Sequence, residues 1–92
     1  MNLDEMRESI ITKVYHITKG QNVALHRHRN HDEVFYCFKG EGFGVYETSE
    51  EALSVSKVFI VTAGTMHALR TDSDLFVASF LIPADKEKPA NI

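Results

Sequence analysis

Hydrophobic and polar positions alternate along most of this chain, and the alternation predicts short strands separated by polar turns. From Ile10 to Ile17 the run Ile-Ile-Thr-Lys-Val-Tyr-His-Ile is rich in β-branched and aromatic residues, which fit a pleated surface. It reads as a strand, with Lys19-Gly20-Gln21-Asn22 as the turn after it. Val23 to His28 follows as a second strand and Arg29 to Asp32 as a short polar connection. Glu33 to Lys39 is the third strand; period-2 alternation puts Glu33, Phe35 and Cys37 on one face and Val34, Tyr36 and Phe38 on the other, so that both faces are largely apolar. Lys39-Gly40-Glu41-Gly42 predicts a hairpin turn, and Phe43 to Glu47 a strand running back from it. Beyond the polar loop from Thr48 to Glu51, Ala52 to Ser56 is a short strand, and Val58 to Val61 is a wholly apolar one that reads as buried on both sides. Ala63-Gly64-Thr65 turns the chain into a strand from Met66 to Arg70, Thr71 to Asp74 turns it again, and Leu75 to Ile82 is the last strand, stopped by Pro83. Asp4 to Glu8 reads equally as a helical turn or an extended arm, and the charged stretch from Ala84 onward as a mobile tail.

Many short strands with frequent turns and no periodic helix mean an all-β sandwich or barrel. Ninety-two residues suffice for one such domain with a modest core, so residues 1–92 read as a single domain. A net charge of -3 supplies no basic face for nucleic acid. No apolar run approaches the roughly 20 residues of a membrane span, and Met-Asn-Leu-Asp-Glu-Met-Arg-Glu lacks the basic and apolar regions of a signal peptide. A cytoplasmic protein is expected, in keeping with a lone Cys37 that has no internal disulfide partner. The runs Val58 to Val61 and Leu75 to Ile82 are apolar on both faces, whereas one small domain has one interior; a homodimer that covers the outer face is expected.

The candidate chemistry lies between Gly20 and Gly40. His26 and His28 are two apart, so on an extended chain their imidazoles project from one face and can grip one ion together. Glu33 closes the set from the next strand, and His67 is the candidate for a fourth ligand. Imidazole nitrogen with carboxylate oxygen suits one divalent transition metal, Fe, Mn, Ni, Co or Zn, and makes a poor calcium cage. Ala24, Phe35 and Leu69 alternate in phase with these residues and are expected to form an apolar wall around the ion, fit for a small, partly apolar ligand. His31 sits in the connection and Cys37 on the face of Glu33; each could join the pocket, but a solvated loop histidine and a packed thiol are the favoured readings. His16 reads as a solvated or hydrogen-bonded strand histidine.

The spacing Gly20, five residues, His26, one residue, His28, four residues, Glu33, six residues, Gly40 resembles the first sequence motif of the cupin superfamily at every fixed position. Gly64, two residues, His67 resembles the heart of the second. The resemblance implies a small double-stranded β-helix, the jelly-roll cupin barrel, over about residues 10–82, with His26, His28, Glu33 and His67 as metal ligands. The chain departs from the second motif at Ser56, where the family has Gly, at Thr62, where it has Pro, and at Thr71, where it has Asn; these positions bear on turns. Three imidazoles and a carboxylate leave two adjacent positions of a six-coordinate ion open. A small metalloenzyme of dioxygenase or isomerase type is therefore expected, acting on a small oxygenated metabolite. The alternative is a non-catalytic module that senses a small molecule or a metal.

Overall fold

A capping box opens the chain. Asn2 Oδ1 accepts the backbone N–H of Glu5 at 2.8 Å, and Glu5 Oε2 accepts that of Asn2 at 3.4 Å. Two donors that a helix start leaves unpaired are thereby satisfied. The stretch whose sequence is neutral between arm and helix becomes α1, Leu3–Ser9. The structure, a computed structural model, describes residues 2–21 and 24–84, with Met6 by its backbone alone.

Strand β1, Ile11–Thr18, pairs antiparallel with β6, Asp74–Pro83, from Ile11 opposite Leu81 to Thr18 opposite Asp74. β6 in turn pairs with β2, His31–Val45, which is the longest element and reverses one expectation. The chain does not make a hairpin at Lys39 to Gly42. Gly40 does take a positive φ of 78°, as a turn glycine would, but the irregularity is absorbed as a β-bulge between Cys37 and Lys39. A bulge bends a strand without reversing it. Phe43 to Val45 therefore continues β2 instead of returning along it.

The bend lets one strand serve two sheets. Before it, β2 lies between β6 and β4, Val58–Val61; beyond it, β2 pairs with β3, Glu50–Ser54, and with β5, Ala68–Arg70. The result is a β1-β6-β2-β4 sheet over a β3-β2-β5 sheet. At the sides β1 comes near β5 and β3 near β4, but no ladder joins these edges. The expected all-β double-stranded β-helix is thus present as an open sandwich, and the barrel is not closed.

Between the sheets lie Ile17, Phe35, Cys37, Leu53, Phe59, Val61, Leu69, Leu75 and Val77. Each large apolar side chain removed from water there contributes roughly 1.5–3 kcal/mol. Strand β4 corrects the reading of a segment buried on both sides: Phe59 and Val61 are buried, while Val58 and Ile60 face outward and are about half exposed. β2 behaves likewise, with Tyr36 and Phe38 exposed on the face opposite Phe35. A sandwich this small has one interior, so only one phase of each strand can enter it.

The predicted strand from Val23 to His28 shrinks to a single bridge, His26 with His67. Asn22 and Val23 lie outside the described residues. The partner segment turns at Ala63 to Thr65, where Gly64 has a φ of 88°, so it offers no longer edge to pair with. Pro83 is the last residue of β6, opposite His31. Of the tail expected to be mobile, Ala84 donates its N–H to Asn30 at 2.9 Å, and residues 85–92 lie outside the described residues. No helix among the described residues is long and apolar enough to cross a membrane.

Candidate metal centre

His26 and His67 face each other across that bridge. The N–H of His26 donates to the carbonyl of His67 at 2.9 Å, the N–H of His67 returns to His26 at 2.8 Å, and the N–H of Gly64 reaches the carbonyl of His28 at 2.9 Å. Backbone bonds thus seat residues 26–28 against 64–67 and bring three imidazoles to one seam. Glu33 arrives from β2 in the inward phase it shares with Phe35 and Cys37. His26, His28, Glu33 and His67 each present a ligand atom, and all four atoms lie within 4.8 Å of one another. Two donors on opposite sides of one ion stand about 4.2 Å apart at ordinary metal–nitrogen distances, so the group has the dimensions of an ion site.

Hydrogen bonding decides which nitrogens face inward. His67 Nδ1 lies 2.9 Å from the carbonyl of Thr65 and can only donate to it, which leaves Nε2 bare in the neutral ring. That Nε2 stands 2.9 Å from Glu33 Oε1. A lone pair and a carboxylate oxygen at this distance need a cation, either a proton on His67 or a metal ion. His28 Nε2 is 3.3 Å from the same oxygen. His26 Nδ1 is 3.3 Å from the carbonyl of Ala24, which frees its Nε2 in the same manner. Rings whose far nitrogen is tied to a carbonyl are the usual form of metal-binding histidines.

Protonation follows from the same contacts. Burial pushes His67 down, but its hydrogen bonds with Glu33 and the Thr65 carbonyl outweigh that and hold it above the ordinary value of 6.5. Burial pushes Glu33 up, yet the hydrogen bonds from His67 and Ser79, with the charge of His28, bring it below the ordinary 4.5. His28 is lowered, first by burial, against the pull of Glu33 and with the repulsion of His26, His67 and His31 added. The donor set is therefore an anionic carboxylate ringed by imidazoles, a composition that fits a divalent transition metal.

A cavity of about 150 Å³ opens beside the group, lined by His26, His28, Glu33, Tyr15, Ile17, Phe35 and Leu69. Of the residues expected around an ion, Phe35 and Leu69 are in this wall and Ala24, His31 and Cys37 are not. Ala24 is exposed and contributes only its carbonyl to the His26 ring. His31 is the half-buried first residue of β2. Cys37 is packed in the core, its thiol donating to the carbonyls of Lys39 and Gly40 at 3.6 Å. His16 lies elsewhere, hydrogen-bonded to Asp74 at 2.7 Å and stacked on Phe76.

Three residues escaped the sequence reading. Tyr15 and Ile17 line the cavity because they share an inward phase on β1; the alternation there was visible, but nothing in it told which face met the histidines. Ser79, fully buried, donates to Glu33 Oε2 at 2.5 Å. Its signal was one hydroxyl in phase with Leu75, Val77 and Leu81. The three departures from the second motif also find their places. Ser56 adopts a φ of 75°, a glycine conformation carried by serine. Thr71 donates to the Glu41 carbonyl at 2.6 Å and accepts from the N–H of Ser73 at 3.0 Å, and Thr62 pairs its hydroxyl with that of Thr65 at 3.1 Å.

Fold and site together define a double-stranded β-helix protein with a His/Glu group of metal-binding composition. Residues 13–82 match the cupin domain family, and the chain belongs to it. Among curated proteins no sequence match is found. Solved structures agree on the fold. A Thermus thermophilus protein is 23% identical over 83% of this chain and 74% of its own, with a TM-score of 0.73. A Thermotoga maritima protein described as a predicted oxalate decarboxylase is 20% identical over 90% of this chain and 75% of its own, with a TM-score of 0.75. The lyase DddQ of Ruegeria pomeroyi, which acts on DMSP, is 22% identical over 88% of this chain and 41% of its own, with a TM-score of 0.74.

Proposed function

We propose that this cupin binds one divalent transition metal (Fe, Mn, Ni, Co or Zn) through His26, His28, Glu33 and His67. It works as a small metalloenzyme of dioxygenase or isomerase type on a small oxygenated metabolite. The observation that carries the reading is the join of a four-donor group within 4.8 Å to a cavity with an apolar wall. A bound ion would act as a Lewis acid toward a carbonyl, enediol or acid in that cavity. The chain's own contribution is placement: Thr65 and Ala24 fix two imidazole rings, Tyr15, Ile17, Phe35 and Leu69 exclude water, and the cavity admits a skeleton of a few carbons. Its partners on this reading are a small molecule and a second copy of the chain, in the cytoplasm, without nucleic acid or membrane.

One observation favours a second reading, a non-catalytic sensor of a small molecule or metal. Apart from the four donors, Tyr15 is the one residue of the described cavity lining that can move a proton. Protein purified without added metal, analysed for bound elements and then offered small 2-oxo acids, enediols and catechols with dioxygen monitored, tests both. Retained metal with turnover supports the enzyme, and retained metal with binding alone supports the sensor. A closed tetrahedral zinc with no exchangeable position would overturn both.

A further inference from the structure

Ser79 is a buried hydroxyl among apolar neighbours. It stands on β6 opposite Phe35, in phase with Val77 and Leu81, and is 1% exposed. A hydroxyl taken out of water costs free energy unless it is hydrogen-bonded. Its partner is Glu33, to whose Oε2 it donates at 2.5 Å, the length of a charge-assisted bond. The other oxygen, Oε1, faces Nε2 of His28 at 3.3 Å and Nε2 of His67 at 2.9 Å. The two oxygens of Glu33 are thus divided between two tasks.

We infer that Ser79 is a positioning residue that restricts Glu33 to giving one oxygen to a bound ion. The inference rests on the metal reading above. A carboxylate can give one or both oxygens to a cation. With three imidazoles, two oxygens would fill five of six positions and leave one; a single oxygen leaves two, which a ligand with two neighbouring oxygens requires. Turning Oε2 toward the ion would draw it away from Ser79, and a buried hydroxyl that loses its partner costs free energy. Ser79 therefore keeps a position open that Glu33 would otherwise occupy.

The test compares the natural protein with Ser79→Ala, Ser79→Thr and Ser79→Val, stripped of metal and loaded with Co(II) alone, then titrated with pyruvate. Thr and Val have nearly the same shape, so they separate the hydroxyl from the volume. The Ser and Thr forms are expected to share one Co(II) visible spectrum and to bind pyruvate at the ion. The Ala and Val forms should take up Co(II) with an altered spectrum and bind pyruvate at least about tenfold more weakly, the scale of effect seen for residues behind metal ligands. Grouping by size, or Co(II) spectra unchanged across the four proteins, overturns the inference and leaves the metal reading standing. A natural protein that takes up no Co(II) overturns both.

Discussion

His67 is held from both ring nitrogens, by the Thr65 carbonyl on one side and Glu33 on the other, in a setting 1% exposed. Its side chain is the one donor of the group that comes from residues 64–67, so its loss removes that donor and its bond with Glu33, while the backbone bonds to residues 26–28 stay. His67→Ala should therefore weaken metal binding by more than the roughly 10–100-fold typical of residues behind the ligands. Glu33→Gln keeps the size, removes the negative charge and should cost less. Metal titrations of the two folded variants decide the order; equal losses would count against it. Protons compete for the same nitrogens. Because His67 is raised above 6.5, largely by Glu33, metal uptake in the natural protein should begin to fall while the pH is still above that value. In Glu33→Gln the charge that does most of the raising is gone, while burial and the smaller pull of the Thr65 carbonyl remain, so the fall should move to lower pH even though affinity at high pH is weaker. Co(II) uptake measured from about pH 5 to 8 gives both curves, and a shared midpoint would contradict the assignment. The four donors were legible in the sequence because their spacing is a recognised pattern. Tyr15 and Ser79 were not, since their roles depend on which strands become neighbours.

Among the elements, β2 shows best why strand existence is easier to read than strand course. That Glu33, Phe35 and Cys37 share a face followed from period 2 and is observed, whereas two apolar faces left period 2 silent on which of them points inward. A Gly-rich polar stretch at Lys39 to Gly42 is chemically the same whether it makes a hairpin or a bulge, and long-range pairing with β6 chose the bulge. Two glycines of the first motif test this. Gly20 and Gly40 share nearly the same φ, 82° and 78°, but a Cβ on Gly20 meets nothing within 4 Å while one on Gly40 would collide with the Asp74 carbonyl oxygen. Gly20→Ala should cost about 1–2 kcal/mol, the price of a left-handed residue. Gly40→Ala should add a clash of about 1–3 kcal/mol to the same strain. Urea denaturation compares them, and equal costs would show that Asp74 gives way. The turn from β3 to β4 offers the reverse case. Ser56 donates its N–H to Cys37 at 2.9 Å, and Cys37 donates to Lys57 at 3.0 Å, so the turn is tied to the bulge with serine in a conformation that suits glycine. Ser56→Gly is expected to stabilise by about 1 kcal/mol, and a loss of stability would contradict the strain argument.

At the scale of the molecule, composition and strand count were enough for an all-β fold, but not for whether its sheets close. The open sandwich leaves the outer face of the β1-β6-β2-β4 sheet to account for. Two rows cross all four strands on that face: Val14, Ala78, Tyr36 and Val58, and beside them Thr12, Phe80, Val34 and Ile60. Val14 is 70% exposed and Ile60 55%, in rows that carry no charge. Charged groups flank the rows at both ends, Asp74 with its partner His16 and Lys39 over the Phe76 ring at one, and Asp32 opposite Ile82 at the other. Contiguous apolar surface of this kind marks an interaction site on most soluble proteins. A second copy suits it because a two-fold axis sets the same patch against itself, and a patch without charge meets no like charge there. The expected outcome is a mass of two chains by light scattering at micromolar concentration. Tyr36→Lys places a charge in the middle of the face and Ile60→Lys one on its β4 edge, both at positions already in contact with solvent, so they should give folded monomers with little change in the core. Their metal uptake should match that of the natural protein, since the four donors lie on the inner side of β2 and along the seam of His26 and His67. A natural protein that runs as a monomer, or lysine variants that remain dimeric, would place the subunit contact elsewhere or remove it.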